Sequence, residues 1–510
     1  MATMGYLYLA KACVALISYI IYRSFFDALH TYPGPFLASL TDAWRMLDSA
    51  LGAHRPTSLI QLHKQYGDVV RIGPETLSFA QPEAIKDIYG TDKQFTKSDF
   101  YWTVAATARG KTTPSLFSSV DAEWHDNLRK AIQPAFNLSA LVQYEPFVDS
   151  TIRSLLSQLG SRYADRSGGA SVCKLQQWMH WYAFDVVGEL TYSKPFGFME
   201  TASDVDGIIR KAHLYLVYNQ VVGNMPVLDT LLLKNPVLLW FNRRGYFSAE
   251  PNPVVRFAIS RQAARAEGDG TGNGQDRVDL LDKFLSTKAK HPETIGDREV
   301  LGLGISMVLA GSESTAVTLS ACFYHVLRSV GVYKKLQAEV NQAFPGFVLD
   351  EAVSFQSSQK LPYLDACIKE TFRIHPAARF TPERVLPPQG AMIAGKHVSG
   401  GKIVGVNAWV VHRCSQVFGT DVEVFRPERW LVADPQDQVR VDLMNRTLFQ
   451  FGAGRFGCIG KNISLLEIYK VVPTLLRAFE FRLVEPAREW RFESGSFANV
   501  SGVDVMIERR

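Results

Sequence analysis

The ten residues from Phe451 to Gly460 contain a residue type suited to metal chemistry, because a single cysteine, Cys458, stands among four glycines. Glycine lets the backbone adopt left-handed or closely packed conformations, so a large flat group can lie against such a loop. The loop precedes a predicted helix over Asn462 to Ala478, whose N-terminus favours an anion and therefore the thiolate that binds metals. A buried structural cysteine beside a turn is the alternative interpretation.

One thiolate without nearby cysteine or histidine partners cannot build a zinc or iron–sulfur site, which needs about four protein ligands, but it suits an axial position on haem iron. The loop resembles the haem-binding signature of the cytochrome P-450 family at Phe451, Gly454, Cys458 and Gly460. The resemblance implies a mostly α-helical fold with a small β region, haem b as cofactor and Cys458 as the axial ligand of its iron. It also implies that these loop residues, with Arg455, contact the haem. The chain departs from the family at Phe456, where Arg or His is usual.

The longest predicted helix runs from Val300 to Val330, and its nearly uncharged first half predicts burial through the middle of a domain. It contains small residues that admit a flat ligand and a carboxylate that is costly to bury unless it is paired or functional. The segment Ala310 to Thr315 resembles the family's acid–alcohol motif. This implies catalytic roles in proton delivery to dioxygen for Glu313 as the acid and Ser314 as the alcohol, with Thr315 sharing the task. A helix-packing patch with a satisfied glutamate is the alternative interpretation.

A predicted helix over Asp121 to Gln133 carries His125 and Arg129 four residues apart, on one face. The resemblance implies that both side chains bind the haem propionates, and that Arg384 does the same. A solvated helix face with an incidental arginine is the alternative interpretation.

Glu370 and Arg373 lie three residues apart on the predicted helix from Leu361 to Ile374 and can form an ion pair. Such pairs contribute little on a surface. The resemblance gives this one a structural role, because Arg429, in the segment Phe425 to Trp430, is expected to complete a triad with Glu370 and Arg373 behind the haem.

The long aromatic loop from Lys97 to Leu116 either lines a site or covers a core, and the resemblance implies that it roofs the substrate pocket. By resemblance, the candidates for this pocket are Phe100, Tyr101, Trp102, Ala310, Phe380, Thr381 and Phe497. The mostly helical region 141–253, interrupted by Pro226 and Pro236, corresponds to a mobile lid that dips into the membrane in the family. Core packing is an equally good interpretation of its apolar pattern.

The segment from Tyr6 to Tyr22 is apolar apart from Lys11 and Ser18, and its length is at the lower edge of a membrane-spanning helix. We predict an uncleaved membrane anchor over residues 1–28, a proline-rich hinge over 29–40 and a single haem-thiolate catalytic domain over 41–510. A cleaved signal peptide is the rival interpretation. Arg23 after the span predicts a single-pass protein of the endoplasmic reticulum membrane whose catalytic domain faces the cytosol.

Composition bounds the class of protein. The 510 residues are 47% hydrophobic, which suits a globular protein, and the net charge of +5 without dense basic runs argues against nucleic-acid binding. Six scattered cysteines argue for a reducing compartment. The glycine-rich stretch Gly268 to Gly274 matches no nucleotide-binding fingerprint and is interpreted as a connector. Electrons from NADPH are therefore expected through a separate NADPH-cytochrome reductase, with cytochrome b5 as a further candidate partner.

The joint occurrence of these motifs predicts a membrane-anchored haem monooxygenase that inserts one atom of O2 into an apolar small-molecule substrate. Segments such as Val70 to Pro74, Lys97 to Tyr101 and Gly460 to Ser464 resemble the filamentous-fungal branch related to pisatin demethylases, which suggests a role in secondary-metabolite biosynthesis. Two alternatives are a haem-thiolate isomerase or dehydratase that does not use O2, and a non-catalytic haem sensor or electron carrier.

Overall fold

A computed structural model describes residues 2–51, 57–93, 95–108, 110–165, 171–246, 253–267, 278–346 and 351–510. The predicted connector from Gly268 to Gly274 lies outside these residues. The fold is mostly α-helical with several small sheets, as predicted.

Helices account for most of the described chain. They are α1 (Ala2–Ile21), α2 (Phe36–Leu40), α3 (Ala43–Leu51), α4 (Ser58–Tyr66), α5 (Glu83–Tyr89), α6 (Phe100–Thr103), α7 (Ala122–Ile132), α8 (Leu138–Leu159), α9 (Leu175–Tyr192), α10 (Phe198–Thr201), α11 (Ile208–Val222), α12 (Val227–Leu231), α13 (Pro236–Arg243), α14 (Pro253–Ala266), α15 (Leu280–Lys290), α16 (Asp297–Arg328), α17 (Val330–Ala343), α18 (Phe355–Ser358), α19 (Pro362–Ile374), α20 (Ala408–Val411), α21 (Ser415–Phe418), α22 (Pro435–Thr447) and α23 (Lys461–Ala478).

The strands are short. They are β1 (Val69–Arg71), β2 (Thr76–Phe79), β3 (Thr96–Lys97), β4 (Ala106–Ala108), β5 (Lys111–Thr113), β6 (Cys173–Lys174), β7 (Arg384–Val385), β8 (Ala391–Ile393), β9 (Lys396–Val398), β10 (Ile403–Val406), β11 (Phe479–Leu483), β12 (Arg491–Phe492), β13 (Val500–Ser501) and β14 (Asp504–Arg509). Single 3₁₀ turns cover Pro427–Trp430 and Gly454–Phe456, and a π-helical turn covers Tyr22–Phe26.

The central helix is α16, which is apolar on most of its surface and buried along much of its length. Helix α9 packs closely along it because small residues of α16 face bulky ones of α9. A Cβ on Gly304 would lie 2.3 Å from the Tyr192 hydroxyl, and one on Gly311 would lie 3.1 Å from Val187. Helices α8 and α23 belong to the same hydrophobic core, so α16 has a fixed position against the cysteine-bearing end of the chain.

The largest sheet has the strand order β1-β2-β10-β7-β3, in which β10 runs parallel to β2 and the other pairs are antiparallel. Its edge strand β3 is paired with β7 in a register that sets Lys97 opposite Arg384. Two cations from distant parts of the chain therefore lie side by side at this edge.

The prediction of a long loop from Lys97 to Leu116 is partly wrong, because this segment contains the short helix α6 and the antiparallel hairpin β4–β5. Gly110, with φ of +68°, supplies the left-handed residue in the turn of this hairpin. The prolines at 226 and 236 precede or open short helices, since proline is tolerated in a first helical turn.

The N-terminal apolar stretch Met4–Phe26 is long enough to cross a membrane, and its most apolar 18-residue window is not buried within the described chain. The same criteria also select α16, but half of that helix is buried, which identifies it as a core helix. Near the end of the apolar stretch, Arg23 forms an ion pair with Glu75 at 2.7 Å, and directly after the stretch Asp27 forms one with Arg71 on β1. These contacts hold the end of the N-terminal segment on the sheet.

Candidate active site

The loop that carries Cys458 is held by its own backbone. The N–H of Cys458 donates to the carbonyl of Phe451 at 2.8 Å, and the N–H of Gly457 donates to Gly454 at 3.0 Å. Gly454 has a φ of +61°, and a Cβ there would lie 1.8 Å from the carbonyl oxygen of Tyr89. Only glycine allows this close approach, so α5 and the cysteine loop fix each other.

Cys458 is solvent-accessible, yet the surrounding protein raises the pKa of its thiol. Burial is the main cause, and it outweighs the lowering by the N–H groups of Gly460 and Lys461 and by the Arg129 guanidinium. The N–H groups at the start of α23 thus act in the predicted direction, towards the thiolate, but in the protein by itself desolvation has the larger effect on this pKa. A metal that coordinates a thiol deprotonates it outright, so this pKa does not argue against a metal ligand.

A group of basic side chains surrounds the Phe456 ring. The charged groups of Lys97 and Arg384 lie 4.6 Å and 4.7 Å from its centroid. The Lys97 ammonium donates to the carbonyls of Leu116 and Phe117 at 2.8 Å. Burial, together with the guanidinium groups of Arg384, Arg129 and Arg455, lowers the pKa of Lys97 to about 7. Several positive charges therefore lie close together here, and a bound anion would reduce the repulsion between them.

The His125 ring lies 4.6 Å from the Phe456 ring, and Asp126 accepts a hydrogen bond from its Nδ1 at 3.0 Å. Burial lowers the pKa of His125 to about 4, so it is neutral at pH 7. Arg129 donates to the carbonyl of Gly457 at 2.9 Å, one residue before the cysteine. Helix α7 therefore places both predicted side chains against the cysteine loop.

Arg455 is directed elsewhere. Its guanidinium pairs with Asp126 at 2.6 Å and donates to the carbonyl of Ala122 at 2.9 Å. The arginine thus joins the cysteine loop to the start of α7. The sequence analysis did not identify Lys97 as a member of this basic group. Lys97 lies opposite Arg384 on a neighbouring strand, and no local sequence pattern indicates that pairing.

Helix α16 presents Ala310 as an exposed residue in an otherwise largely buried segment, and Ser314 shares that face one turn later. The Ser314 hydroxyl donates back to the carbonyl of Ala310 at 2.8 Å, which leaves its lone pairs able to accept. Thr315 lies 3.5 Å from the Ser464 hydroxyl on α23, six residues after Cys458. The acid–alcohol segment and the cysteine loop therefore belong to one helix crossing.

Glu313 is buried and has two partners that the sequence analysis missed. Nδ2 of Asn499 donates to its carboxylate at 3.0 Å, and Nε2 of His180, on α9, lies 3.4 Å away. Burial acts to raise the pKa of Glu313, but His180 and Asn499 together hold it below its usual value. The pKa of His180 is raised by the same contact against the opposing effect of burial. Both shifts favour a charged glutamate–imidazolium pair.

A second buried carboxyl group, Glu467 on α23, lies near Thr315. Burial raises its pKa well above the usual value, and the Thr315 hydroxyl opposes this only in part. Burial therefore favours the protonated form of Glu467, whereas the partners of Glu313 favour its ionised form. Environment, not residue type, separates the two acids.

Glu370, Arg373 and Arg429 form the expected cluster in the structure. Arg373 donates to both carboxylate oxygens of Glu370 at 2.8 Å and 2.9 Å, and Arg429 Nε donates to Oε1 at 3.0 Å. Trp430 Nε1 adds a fourth bond at 2.8 Å. The three charged side chains are fully buried, so this is an internal network that joins α19 to the turn at Pro427–Trp430.

Three of the aromatic candidates for the substrate pocket form one cluster, in which the Tyr101 ring lies 5.4 Å from the Phe100 ring. Phe100 and Phe380 lie 5.7 Å apart, and Phe117, which the sequence analysis missed, lies 5.5 Å from Phe380. Tyr101 also makes a polar contact, because its hydroxyl accepts a hydrogen bond from Arg384 at 2.8 Å. Trp102 is 38% exposed.

Phe497 is paired with Ala378 through an isolated β-bridge, which holds the C-terminal segment beside residues 379–381. Phe100, Phe380 and Thr381 line one cavity of about 150 Å³. A second cavity, of about 430 Å³, opens beside Cys458 and is lined by Arg129, Lys369 and Lys461 among others.

Comparison with known proteins places these features in a family. The chain matches the cytochrome P450 family over residues 35–502. It is 36% identical over 480 residues to the cytochrome P450 monooxygenase cicH of Emericella nidulans, covering 94% of this chain and 93% of that protein. It is 37% identical over 487 residues to a cytochrome P450 monooxygenase of Aspergillus terreus, covering 94% and 95%. It is 34% identical over 503 residues to the cytochrome P450 monooxygenase gsfF of Penicillium aethiopicum, covering 97% and 96%. With an accessible Cys458 in its glycine-rich loop and Glu313 and Ser314 on the crossing helix, the chain belongs to the cytochrome P450 family.

Proposed function

We propose that this protein is a haem-dependent monooxygenase that inserts one atom of O2 into a small, largely apolar substrate in fungal secondary metabolism. The observation that carries the proposal is the contact of Thr315 on α16 with Ser464 on α23, which links the acid–alcohol segment to the helix that follows the accessible Cys458. The fungal relatives, each named a cytochrome P450 monooxygenase, support the reaction class.

The residues present fit a haem. Cys458 supplies a soft and accessible sulfur donor, and the exposed Ala310 has no side chain that would keep a flat group away from α16. Lys97, Arg129 and Arg384 form a basic group that two propionates would neutralise. The family usually has a propionate-binding Arg or His at the position of Phe456. We assign that role to Lys97, because Arg455 is already paired with Asp126.

Haem bound through Cys458 supplies the activation of O2, and the thiolate favours cleavage of the O–O bond. Glu313 holds an ionised carboxylate one residue before Ser314, so the pair can pass protons through the hydroxyl of Ser314 or through water. His180 and Asn499 fix the carboxylate and keep it charged at neutral pH. Thr315 contacts Ser464 and Glu467, and therefore acts at the helix crossing.

The proposal includes an electron donor, because no nucleotide-binding fingerprint occurs in the sequence. The cavity beside Cys458 has Lys369 and Lys461 on its wall, which suits an acidic surface of an NADPH-cytochrome reductase or of cytochrome b5. The unburied apolar stretch Met4–Phe26 supports a single-pass anchor, and we propose the endoplasmic reticulum with a cytosol-facing catalytic domain.

Oxygen-18 labelling tests the reaction class. With a reductase and NADPH supplied, we expect one atom from labelled O2 in the product formed from a fungal metabolite extract. Product that forms without label and without the reductase would indicate an isomerase or dehydratase. Haem binding with no conversion of any component of the extract would indicate a sensor or electron carrier.

The ligand assignment is tested with Cys458→Ala. We expect loss of the thiolate-type Soret band of the reduced carbon monoxide complex, because no other described cysteine lies in the loop. Cys414→Ala, which alters a cysteine outside the loop, is the matched control and should keep the band. An unchanged spectrum in Cys458→Ala would mean that another side chain binds the iron.

A further inference from the structure

Arg379 is a largely buried cation whose charge is not neutralised by a neighbouring carboxylate. Its Nη1 donates to the backbone carbonyls of Glu493 and Gly495, at 3.1 Å and 3.3 Å. Among the residues that the structure describes, no Asp or Glu oxygen lies within 4.0 Å of its guanidinium, and no protein acceptor is found for its Nε or Nη2. Burial without a counter-charge lowers the pKa of Arg379 to about 10. Arg129 and Arg384 share this lack of an acidic partner, but they belong to the basic group around Phe456, whereas Arg379 does not.

Arg379 lines the cavity of about 150 Å³ that Phe100 and Phe380 also line. The other charged groups on the cavity wall already have partners. Arg45 forms an ion pair with Glu383, and Asp48 accepts a hydrogen bond from Ser58 at 2.7 Å. Among the described residues, Arg379 is thus the cation on this wall that has no carboxylate partner, whereas the Asp48 carboxylate has a hydroxyl partner but no cation within 4.0 Å.

The neighbours of Arg379 also present donors to the cavity. Thr381 Oγ1 accepts from the Asn407 amide at 3.2 Å, and Gln220 Oε1 accepts from the N–H of Gly495 at 2.6 Å. These contacts use the acceptor sides of both groups, which leaves the Thr381 hydroxyl proton and the Gln220 amide hydrogens to donate. The part of the wall around Arg379 therefore offers one cation without a carboxylate partner and two neutral donors, which suits a ligand group that only accepts hydrogen bonds.

We propose that Arg379 binds a carboxylate of the substrate, with Thr381 and Gln220 as further donors. A planar guanidinium matches a carboxylate through two parallel hydrogen bonds, and such charge-assisted bonds are strong in a partly desolvated site. Phe100 and Phe380, 5.7 Å apart, offer an apolar surface for the rest of the molecule. This inference rests on the proposed monooxygenase function and names its substrate class: an apolar carboxylic acid, oxidised at a position set by its distance from the carboxylate.

The test is a spectral binding titration of the haem-loaded enzyme with three probes that share one apolar body: 2-naphthylacetic acid, its methyl ester and 2-naphthylethylamine. For the wild type we expect the acid to bind at least tenfold more tightly than the ester and the amine. In Arg379→Gln the acid should lose on the order of tenfold in affinity while the ester is unchanged. Arg379→Lys should keep part of the preference for the acid, and Arg153→Gln, a change of an exposed arginine on α8, should keep all of it.

Equal binding of acid and ester by the wild type would overturn the inference, and so would failure of the acid to bind at all. An equal loss of affinity for acid and ester in Arg379→Gln would show that Arg379 only shapes the roof of the cavity. The reduced carbon monoxide spectrum of each variant separates these outcomes from a failure of the proposed function. A normal thiolate-type band without acid preference rejects only the carboxylate site, whereas absence of the band in the wild type rejects the haem-thiolate enzyme.

Discussion

At the scale of single residues, the departure at Phe456 has a physical explanation. An aromatic ring at this position gives cations a surface to pack on, and Lys97, Arg384 and Arg455 all lie within 5.5 Å of its centroid. Positive charge is therefore present beside Phe456, from Lys97 on β3 and Arg384 on β7.

We predict that Lys97→Met lowers haem occupancy several-fold while Arg455→Ala leaves it nearly unchanged. Methionine keeps the apolar stem of Lys97 but removes the charge that the propionates would use, whereas Arg455 is engaged with Asp126. Haem absorbance per mole of purified protein gives the measurement. Normal occupancy in Lys97→Met, or a large loss in Arg455→Ala, would contradict the assignment.

His180 is a positioning residue for Glu313, and its effect can be observed without a substrate. In His180→Gln the imidazolium is gone, so burial should raise the pKa of Glu313 and protonate it at pH 7. We expect the infrared spectrum of His180→Gln to gain a protonated-carboxyl band that is missing from His180→Gln/Glu313→Gln. Any band from Glu467 is the same in both variants, so it cancels in the difference between the two spectra. If the two spectra agree, Asn499 and the charge of His213 are enough to keep Glu313 ionised.

At the scale of elements, the Glu370 network joins α19 to the turn before the cysteine loop. Glu370→Gln would leave the buried guanidiniums of Arg373 and Arg429 without a full counter-charge, and breaking a buried pair in this way costs about 3–5 kcal/mol. We therefore expect a strongly lowered thermal unfolding midpoint and poor retention of haem.

The matched control for this element is Glu508→Gln, because Glu508 pairs with Arg482 at 3.5 Å in an exposed position. An exposed pair contributes about 0–1 kcal/mol, so its midpoint should hardly move. Similar midpoints for the two variants would mean that the internal triad contributes no more than a surface pair.

At the scale of the whole molecule, buried neutral histidines make the fold sensitive to acid. His412 accepts from the N–H of Phe449 at 2.7 Å through Nε2, and its Nδ1 lies 3.2 Å from the carbonyl of Arg373, an arrangement that requires the neutral ring. Burial lowers the pKa of His412 and that of His375 to about 3.

Because these pKa values are depressed in the folded state, their contribution to stability is full above the unfolded value of about 6.5 and is lost as pH falls towards 3. Between pH 7 and pH 5 each histidine should remove about 2 kcal/mol from the free energy of unfolding. Urea unfolding at the two pH values measures this. Equal midpoints would mean that both rings can be protonated within the fold.

Local features of the sequence were enough to predict much of the architecture. The sequence pattern predicted helices α7, α16, α19 and α23 to within a few residues of their limits in the structure. The hairpin β4–β5 was missed because its short strands lack an apolar alternation, and the turn depends on Gly110.

The sequence by itself determined the family, the cysteine in its glycine-rich loop and the acid–alcohol segment. Each of these is a short contiguous motif, so all of its residues can be read directly from the chain. Only the tertiary structure decided that Lys97 pairs with Arg384, that His180 and Asn499 hold Glu313, and that Arg379 stands on a cavity wall without a counter-charge. The physical reason is that burial and electrostatics depend on groups that folding brings together from more than a hundred residues apart, and no local spacing encodes them.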